Sequence, residues 1–141
     1  MITWDSTPSE LEWEKAARGG YTDAVFSWGN APDPQRANYT DSGVNDLSAV
    51  GCFPANGYGL YDMLGNVWEW TRSVNVEYPY LLDEPRREPL DPGDDMGVVV
   101  RGGAWGFSCD YARCAYRYGF LPVNRLNNLG FRVVLRSAPV F

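Results

Sequence analysis

Residues 56–71 read NGYGLYDMLGNVWEWT and combine a turn signal with a strand signal. It opens with glycines at positions where sharp turns are expected, because glycine adopts backbone conformations that strain other residues. It closes with residues 67–71, a run of β-branched and aromatic residues around Glu69 that has the alternation of a strand. The stretch therefore predicts a turn-rich segment that leads into a β-strand.

A helix is predicted on the N-terminal side of this stretch. Thr7-Pro8-Ser9-Glu10 offers an N-cap at Thr7, a proline at the first helical position and a glutamate three residues after the cap, as in a capping box. The helix is expected to run to Gly19-Gly20. Its buried side is predicted to consist of Leu11, Trp13, Ala16 and Ala17. Its solvent side is predicted to consist of Glu10, Glu12, Glu14, Lys15 and Arg18.

Two more strands are predicted toward the C-terminus, at residues 96–101 (MGVVVR) and 130–135 (GFRVVL). The intervening residues 102–129 are dense in Arg, Asn and aromatic residues without a clean period, which is typical of a long functional loop with one exposed face. Residues 77–95 are rich in Pro and charge and are predicted to form an insertion loop. Residues 21–58 are predicted to be mostly ordered loop.

Composition limits both the architecture and the partners. A chain of 141 residues with 45% hydrophobic residues, 15 glycines and 10 prolines indicates one loop-rich domain over residues 1–141. The net charge of −6 and the single lysine argue against a nucleic-acid partner. No apolar run reaches the roughly 18 residues of a membrane span, and no signal-peptide layout is present. The compartment and the oligomeric state stay open.

Six motifs carry a resemblance to a known family. In chain order they are PSELEWEKAARGG, FSWGN, ANY, FPANGYGLYDMLGNVWEWT, RGGAW and GFRVV. Together they resemble the domain of the formylglycine-generating-enzyme (sulfatase-modifying factor) superfamily. The resemblance implies an α+β, C-type-lectin-like fold with a small twisted antiparallel sheet, one or two helices and extensive ordered loops. Family members carry a long N-terminal half ahead of the helix, and we expect that part to be missing here.

The founding activity of this family is the copper-dependent oxidation of a substrate cysteine by two cysteines that follow the RGG strand. Cys109 and Cys114 are the candidates here, and thiolate sulfur suits Cu(I). The enzymes place their first cysteine where this chain has Phe107, so we expect neither copper nor catalysis. Both thiols are predicted to be free and buried or half-buried. A copper-dependent oxidase fragment is the alternative, whereas the family branch with histidine-ligated iron is excluded because the chain has no histidine.

Residues 102–132 also resemble the variable region of proteins that diversity-generating retroelements diversify. In such proteins a fixed frame is interleaved with positions whose adenine-rich codons are randomised, and an AAC codon can reach every residue type found at those positions here. The resemblance implies a variable, ligand-binding surface made of Gly106, Phe107, Ser108, Cys109, Asp110, Tyr111, Tyr118, Gly119, Phe120, Leu121, Val123, Asn124, Leu126, Asn127 and Asn128.

The leading hypothesis is therefore a ligand-binding variable protein with a macromolecular ligand, most plausibly a protein. Its aromatic residues offer rigid contact area, and its Gly, Ser and Asn residues offer adaptable hydrogen bonding. The frame arginines Arg113, Arg117, Arg125 and Arg132 are predicted to hold the loops through carboxylates or backbone carbonyls. A non-catalytic scaffold domain of a larger protein is a further alternative.

The resemblance also implies a calcium site within residues 56–71. Its ligands would be side-chain oxygens of Asp62 and Glu69 and main-chain carbonyls of Gly65 and Val67, which are the hard donors that Ca²⁺ prefers. In the alternative, the two carboxylates bind backbone amides or pair with an arginine, and the sequence leaves both open.

Tryptophans and glycines of the frame have a structural interpretation. Trp68, Trp70 and Trp105 flank predicted strands and are predicted to lie in the core. Gly102 and Gly103 follow a β-branched run and are predicted to serve a bulge or a turn.

Overall fold

The computed structural model of the protein describes residues 2–79, 88–89 and 91–137. It contains one α-helix among these residues, α1 (Glu10–Arg18). The strands are β1 (Ile2–Ser6), β2 (Trp68–Val74), β3 (Val98–Arg101), β4 (Arg117–Phe120), β5 (Leu129–Phe131) and β6 (Val134–Ser137). Two short 3₁₀ helices lie at Thr40–Ser42 and Cys109–Ala112. No helix in the described part of the chain has the length and apolar character needed to cross a membrane.

The main sheet has four strands in the order β4-β3-β2-β5. Strand β3 pairs antiparallel with both β2 and β4, whereas β5 pairs with β2 in parallel. The expected α+β class is confirmed, and the sheet that was expected to be antiparallel is mixed because of this one parallel pair. Strands β1 and β6 form a separate antiparallel pair.

The predicted strand at residues 130–135 is two strands in the structure. Residues up to Phe131 pair with β2 in the main sheet, and residues from Val134 onward pair with β1 in the other sheet. The chain must therefore change sheets at Arg132 and Val133. Arg132 turns its guanidinium toward Glu69, which fixes the crossing point.

Helix α1 begins two residues later than the sequence predicted. Its N-cap is Ser9 rather than Thr7, and the capping box joins Ser9 to Glu12 rather than Thr7 to Glu10. The sequence TPSELE contains two overlapping capping-box patterns, residues 7–10 and 9–12, so the pattern alone does not show which one forms. The choice places Glu10 inside the protein at 1% exposure, whereas the prediction had it in solvent. Gly19 ends the helix as predicted.

The larger core lies between α1 and the loops, and we call it the Trp13 cluster. Its buried members are Trp13, Ala17, Phe26, Ala37, Tyr39, Met63, Leu64, Ala112 and Cys114. Trp13 and Ala17 are buried as predicted, but Leu11 is 46% exposed, so its place on the buried side is wrong. Gly65 joins the loops to this core with a φ of 77°, and a Cβ at this position would lie 2.4 Å from the carbonyl oxygen of Asn38.

The smaller core lies on the main sheet, and we call it the Trp68 cluster. It consists of the buried residues Trp68, Val100 and Ala104 with half-buried Trp70, Phe107, Tyr111, Tyr116, Phe120 and Leu129 around them. Trp68 is core as predicted, whereas Trp70 and Trp105 are only half-buried. Of the predicted insertion loop at 77–95, residues 80–87 and 90 lie outside the described residues, and the rest contains no helix or strand.

Candidate binding surface

Residues 102–129 do not form one long loop. The structure has a short 3₁₀ helix at Cys109–Ala112, strand β4 at Arg117–Phe120 and then turns up to β5. Strand β4 completes the main sheet through pairing with β3, and the fixed motif RGG supplies the turn that leads into this region. Gly102 and Gly103 have φ values of 96° and 74°, which confirms the turn predicted for them.

Two frame arginines bind the acidic side of α1. Arg117 forms a bidentate pair with Glu10, in which Nε and Nη2 each lie 2.8 Å from a carboxylate oxygen. Arg101 is fully buried, and it pairs with Glu14 and lies 3.6 Å from Glu10. Its Nη1 also donates to the backbone carbonyls of Ala115 and Tyr116. A buried charge is tolerated only when it is paired and hydrogen-bonded, so these contacts fix the strands that frame the surface.

The two other predicted loop-holding arginines bind backbone carbonyls close to them in sequence. Arg113 donates from Nε to the carbonyl of Asp110, and Arg125 donates from Nη1 to the carbonyls of Pro122 and Asn124. Together with Arg117 and Arg132, all four frame arginines hold loops or strands as predicted.

The carboxylates of the predicted calcium site have protein partners. Glu69 binds Arg132 through both oxygens at 2.6 Å, and one oxygen also accepts from Trp13 Nε1 at 2.7 Å. Asp62 accepts the backbone N–H of Gly51 at 2.7 Å. A cation at Glu69 would have to displace a bidentate guanidinium, so the donor set fits Ca²⁺ poorly in this arrangement. The four-ligand calcium site stays a prediction.

None of the fifteen predicted variable positions is buried. Eight of them are exposed, namely Gly106, Ser108, Asp110, Tyr118, Leu121, Val123, Leu126 and Asn127. The seven others are half-buried. By contrast, the frame residues Arg101 to Ala104, Ala112 and Cys114 are all buried. Burial is thus confined to the frame in this region, although the frame residues Arg113, Ala115 and Arg125 are exposed as well.

The aromatic variable positions are not all free contact area. Phe107 and Tyr111 pack edge-on against Trp68, with ring centroids at 5.5 and 6.3 Å. Phe120 contacts Trp70 in the same edge-on manner at 6.3 Å. Only Tyr118 is exposed, at 48%, although its ring also lies 6.0 Å from that of Trp68. The rigid aromatic residues therefore belong both to the surface and to the Trp68 cluster beneath it.

Trp70 is a constant residue of this surface that sequence reasoning assigned to the core. It lines a groove of about 600 Å³ together with Asn124, Arg125, Leu126, Leu129, Gly130 and Phe131. Phe131 faces Trp70 across the parallel strand pair and is 69% exposed. Trp70 and Phe131 therefore extend the candidate surface beyond the fifteen predicted positions.

The three thiols are free and differ in exposure. Cys52 is exposed, Cys109 is half-buried and Cys114 is buried, so the prediction for the latter two is confirmed. Burial raises the pKa of Cys114 against smaller opposing effects of Ser27, Arg18 and Arg101. A reactive thiol needs the opposite shift. Among the described residues no group of three or more His, Cys, Asp or Glu side chains is placed to hold a metal ion.

The sequence comparisons agree with this architecture. Residues 3–137 match the sulfatase-modifying factor enzyme 1-like domain, and the chain therefore belongs to this family. It is 40% identical to the inactive C-alpha-formylglycine-generating enzyme 2 of Mus musculus, over 89% of this chain and 41% of the mouse protein. It is 33% identical to the formylglycine-generating enzyme of the same organism, over 94% of this chain and 39% of that protein.

The chain also resembles a solved structure over nearly its whole length. Treponema denticola variable protein 1 superposes with a TM-score of 0.76 and is 33% identical, over 94% of this chain and 46% of that protein. The fold is thus of the formylglycine-generating-enzyme-like, C-type-lectin-like type. The chain spans less than half of the length of each of these three proteins.

Proposed function

We propose that this chain is the ligand-binding part of a variable protein diversified by a retroelement, and that it is not an enzyme. The observation that carries the proposal is the exposure of the predicted variable positions. None of the fifteen is buried, whereas six frame residues are buried and the frame arginines bind carboxylates or backbone carbonyls. Such an arrangement allows residues to change without disturbing the fold.

The surface chemistry favours a macromolecular ligand, and specifically a protein. Its exposed apolar side chains are Tyr118, Leu121, Val123, Leu126 and Phe131, with exposures between 43% and 69%. Contiguous apolar surface rimmed by polar residues marks a protein-contact site. The net charge of −6 disfavours a nucleic acid. The likeness to Treponema denticola variable protein 1 supports the same function.

The proposal is tested first on the DNA around the gene. We expect a near-copy of the stretch that encodes residues 102–132, beside a reverse-transcriptase gene, that differs from it only where the copy has adenines. The differences should fall on the codons of the fifteen positions. Differences that fall instead on the codons of Ala112, Cys114 or Arg117 would contradict the proposal, since the first two residues are buried in the core and Arg117 is paired with Glu10.

A display experiment tests the physical part of the same proposal. One library carries AAC-type diversity at six of the eight exposed variable positions, and a matched library carries it at the six buried frame positions, Arg101 to Ala104, Ala112 and Cys114. We expect most members of the first library and few of the second to resist protease. Equal survival of the two libraries would remove the structural basis of the proposal.

The family's oxidase activity is the second candidate, because formylglycine-generating enzymes are among the relatives. The buried Cys114, with its raised pKa, does not favour it. The discriminating assay measures copper-dependent oxidation of a cysteine-containing peptide by the reduced protein. Turnover that is lost in a Cys109→Ala variant would establish the enzyme and overturn the non-catalytic part of the proposal.

A further inference from the structure

A second groove lies on the other side of Trp70 from the variable positions 124–128. Its volume is about 300 Å³. Its walls are Trp70, Pro89, Pro92 and Pro122, and its floor includes the buried Thr71 and Val98. None of these residues belongs to the fifteen variable positions. The groove is therefore a constant, mostly apolar slot that is bounded on one side by an indole ring.

Among the described residues, those next to this groove in sequence carry a net negative charge. Arg72 also lines it, but its guanidinium is paired with Glu12 at 2.8 Å and with Glu88 at 2.9 Å. Asp91 precedes the wall residue Pro92, Asp94 and Asp95 follow it within three residues of sequence, and all three are exposed. Within the part of the chain that the structure describes, no ion pair involves these three carboxylates.

The groove is continuous with the proposed binding surface. Pro122 lies between the variable positions Leu121 and Val123, and the ring of Phe120 packs against that of Trp70 at 6.3 Å. A partner that covers the variable positions therefore also reaches this slot.

We propose that this groove receives a lysine or arginine side chain of the protein partner. The aliphatic stem of such a side chain fits between the prolines and the indole, while its charge is attracted by the indole face and by the three aspartates. A carboxylate side chain would be repelled by the aspartates, and a plain aliphatic side chain would pack against the apolar walls without using their charge. The partner in this inference rests on the proposed function, whereas the preference of the groove for a basic side chain does not.

The test is a titration that needs no knowledge of the partner. ¹⁵N-labelled protein is titrated at low salt with the N-acetyl N-methylamides of lysine, arginine, norleucine and glutamate, and the indole N–H resonance of Trp70 is followed. The Trp70→Phe variant assigns this resonance. We expect the lysine and arginine derivatives to shift it together with the amides of Thr71 and Val98. Binding as tight by the norleucine derivative would overturn the proposal.

Two charge variants test the role of the rim. The triple variant D91N/D94N/D95N should bind the lysine derivative roughly fivefold more weakly, because it loses three exposed attractive charges. The triple variant D23N/D41N/D46N changes the net charge equally on other loops and should bind as the wild type does. Equal losses in the two variants would show only a general field effect and would contradict the proposal.

The titration and the sequence around the gene test the two proposals separately. Failure of the titration while the coding region proves diversified removes only the basic-residue slot. Success of the titration in a gene without a template copy leaves the slot and removes the diversified surface.

Discussion

The Trp13 cluster and the Trp68 cluster are both hydrophobic cores, but they are closed in different ways. The Trp13 cluster has nine buried members and is sealed on the α1 side by the ion pairs of Glu10, Arg101 and Arg117. The Trp68 cluster has three buried members and is covered by half-buried aromatic rings, of which Phe107, Tyr111 and Phe120 are predicted variable positions. One core is insulated from the outside, whereas the other is part of the surface that we propose binds a ligand.

This difference shows how the residues of a surface can change while the fold stays the same. The Trp13 cluster contacts only one of the predicted variable residues, Cys109, and its ion pairs connect α1 to β3 and β4. The Trp68 cluster tolerates change at its rim, because a half-buried ring contributes less on removal than a fully buried one. The following predictions test this division, in order of decreasing effect.

The sharpest way to break the division is to remove the buried arginine that joins both clusters. Arg101→Ala leaves the carboxylate of Glu10 with one partner fewer at 1% exposure, and we expect a loss of about 3–5 kcal/mol in the free energy of unfolding. Urea unfolding followed by tryptophan fluorescence measures it. Arg125→Ala, which removes an exposed arginine that binds only nearby carbonyls, should cost less than about 1 kcal/mol. A similar loss in the two variants would refute the division.

A second comparison lies within the variable positions themselves. Tyr111→Ala removes a half-buried ring that contacts Trp68, Phe107 and Tyr116, and should cost about 1–3 kcal/mol. Tyr118→Ala removes a ring that is 48% exposed and should cost about 0.5 kcal/mol. Thermal unfolding of the two variants measures the gap. If Tyr118 proved as costly as Tyr111, the surface would be core throughout.

The start of α1 offers a smaller effect on the insulated side. Ser9→Ala removes the hydroxyl that accepts the backbone N–H of Glu12, and we expect a loss of about 1 kcal/mol. Thr7→Ala is the matched variant, because the sequence offers both residues as caps. Chemical unfolding that showed the larger loss at Thr7 would contradict the observed capping box.

The smallest effect concerns pH on the alkaline side. Burial raises the pKa of Cys114, so its thiol stays protonated in the folded protein while the unfolded chain ionises above roughly pH 8.5. The stabilisation is fully present below that pH and declines as pH rises through the folded pKa. Unfolding free energies at pH 8 and 9.5 measure the slope. Cys114→Ala should flatten it, and Cys52→Ser, at an exposed thiol, should not.

Sequence reasoning located the helix, β2 and β3, because each combines a local pattern with clear boundaries. It missed β4, since Arg117, Tyr118, Gly119 and Phe120 have no strand alternation of their own and become a strand only through pairing with β3. It also placed Glu10 in solvent. Two arginines about 90 and 107 residues away bury it, and no local pattern reports such partners.

The site shows the same limit. The fifteen positions came from the interleaved frame and proved to be accessible, yet the half-burial of Phe107, Tyr111 and Phe120 depends on Trp68, which lies in a distant strand. Trp70 was assigned to the core because tryptophan is usually buried. In the structure its strand, β2, pairs on one side with β5, which has only three residues, and the indole lines two grooves. The composition of a strand does not reveal how much of its side chains the neighbouring strand buries.

The pairing of β1 with β6 has a consequence for how this module can be carried. Ile2 lies opposite Ser137, so the described chain enters and leaves the fold side by side, about 5 Å apart. Domains of this kind are grafted into a loop of a host protein or circularly permuted with little distortion of either component. A loop of another protein whose two ends lie one strand spacing apart thus accepts residues 2–137 with little rearrangement of its own backbone.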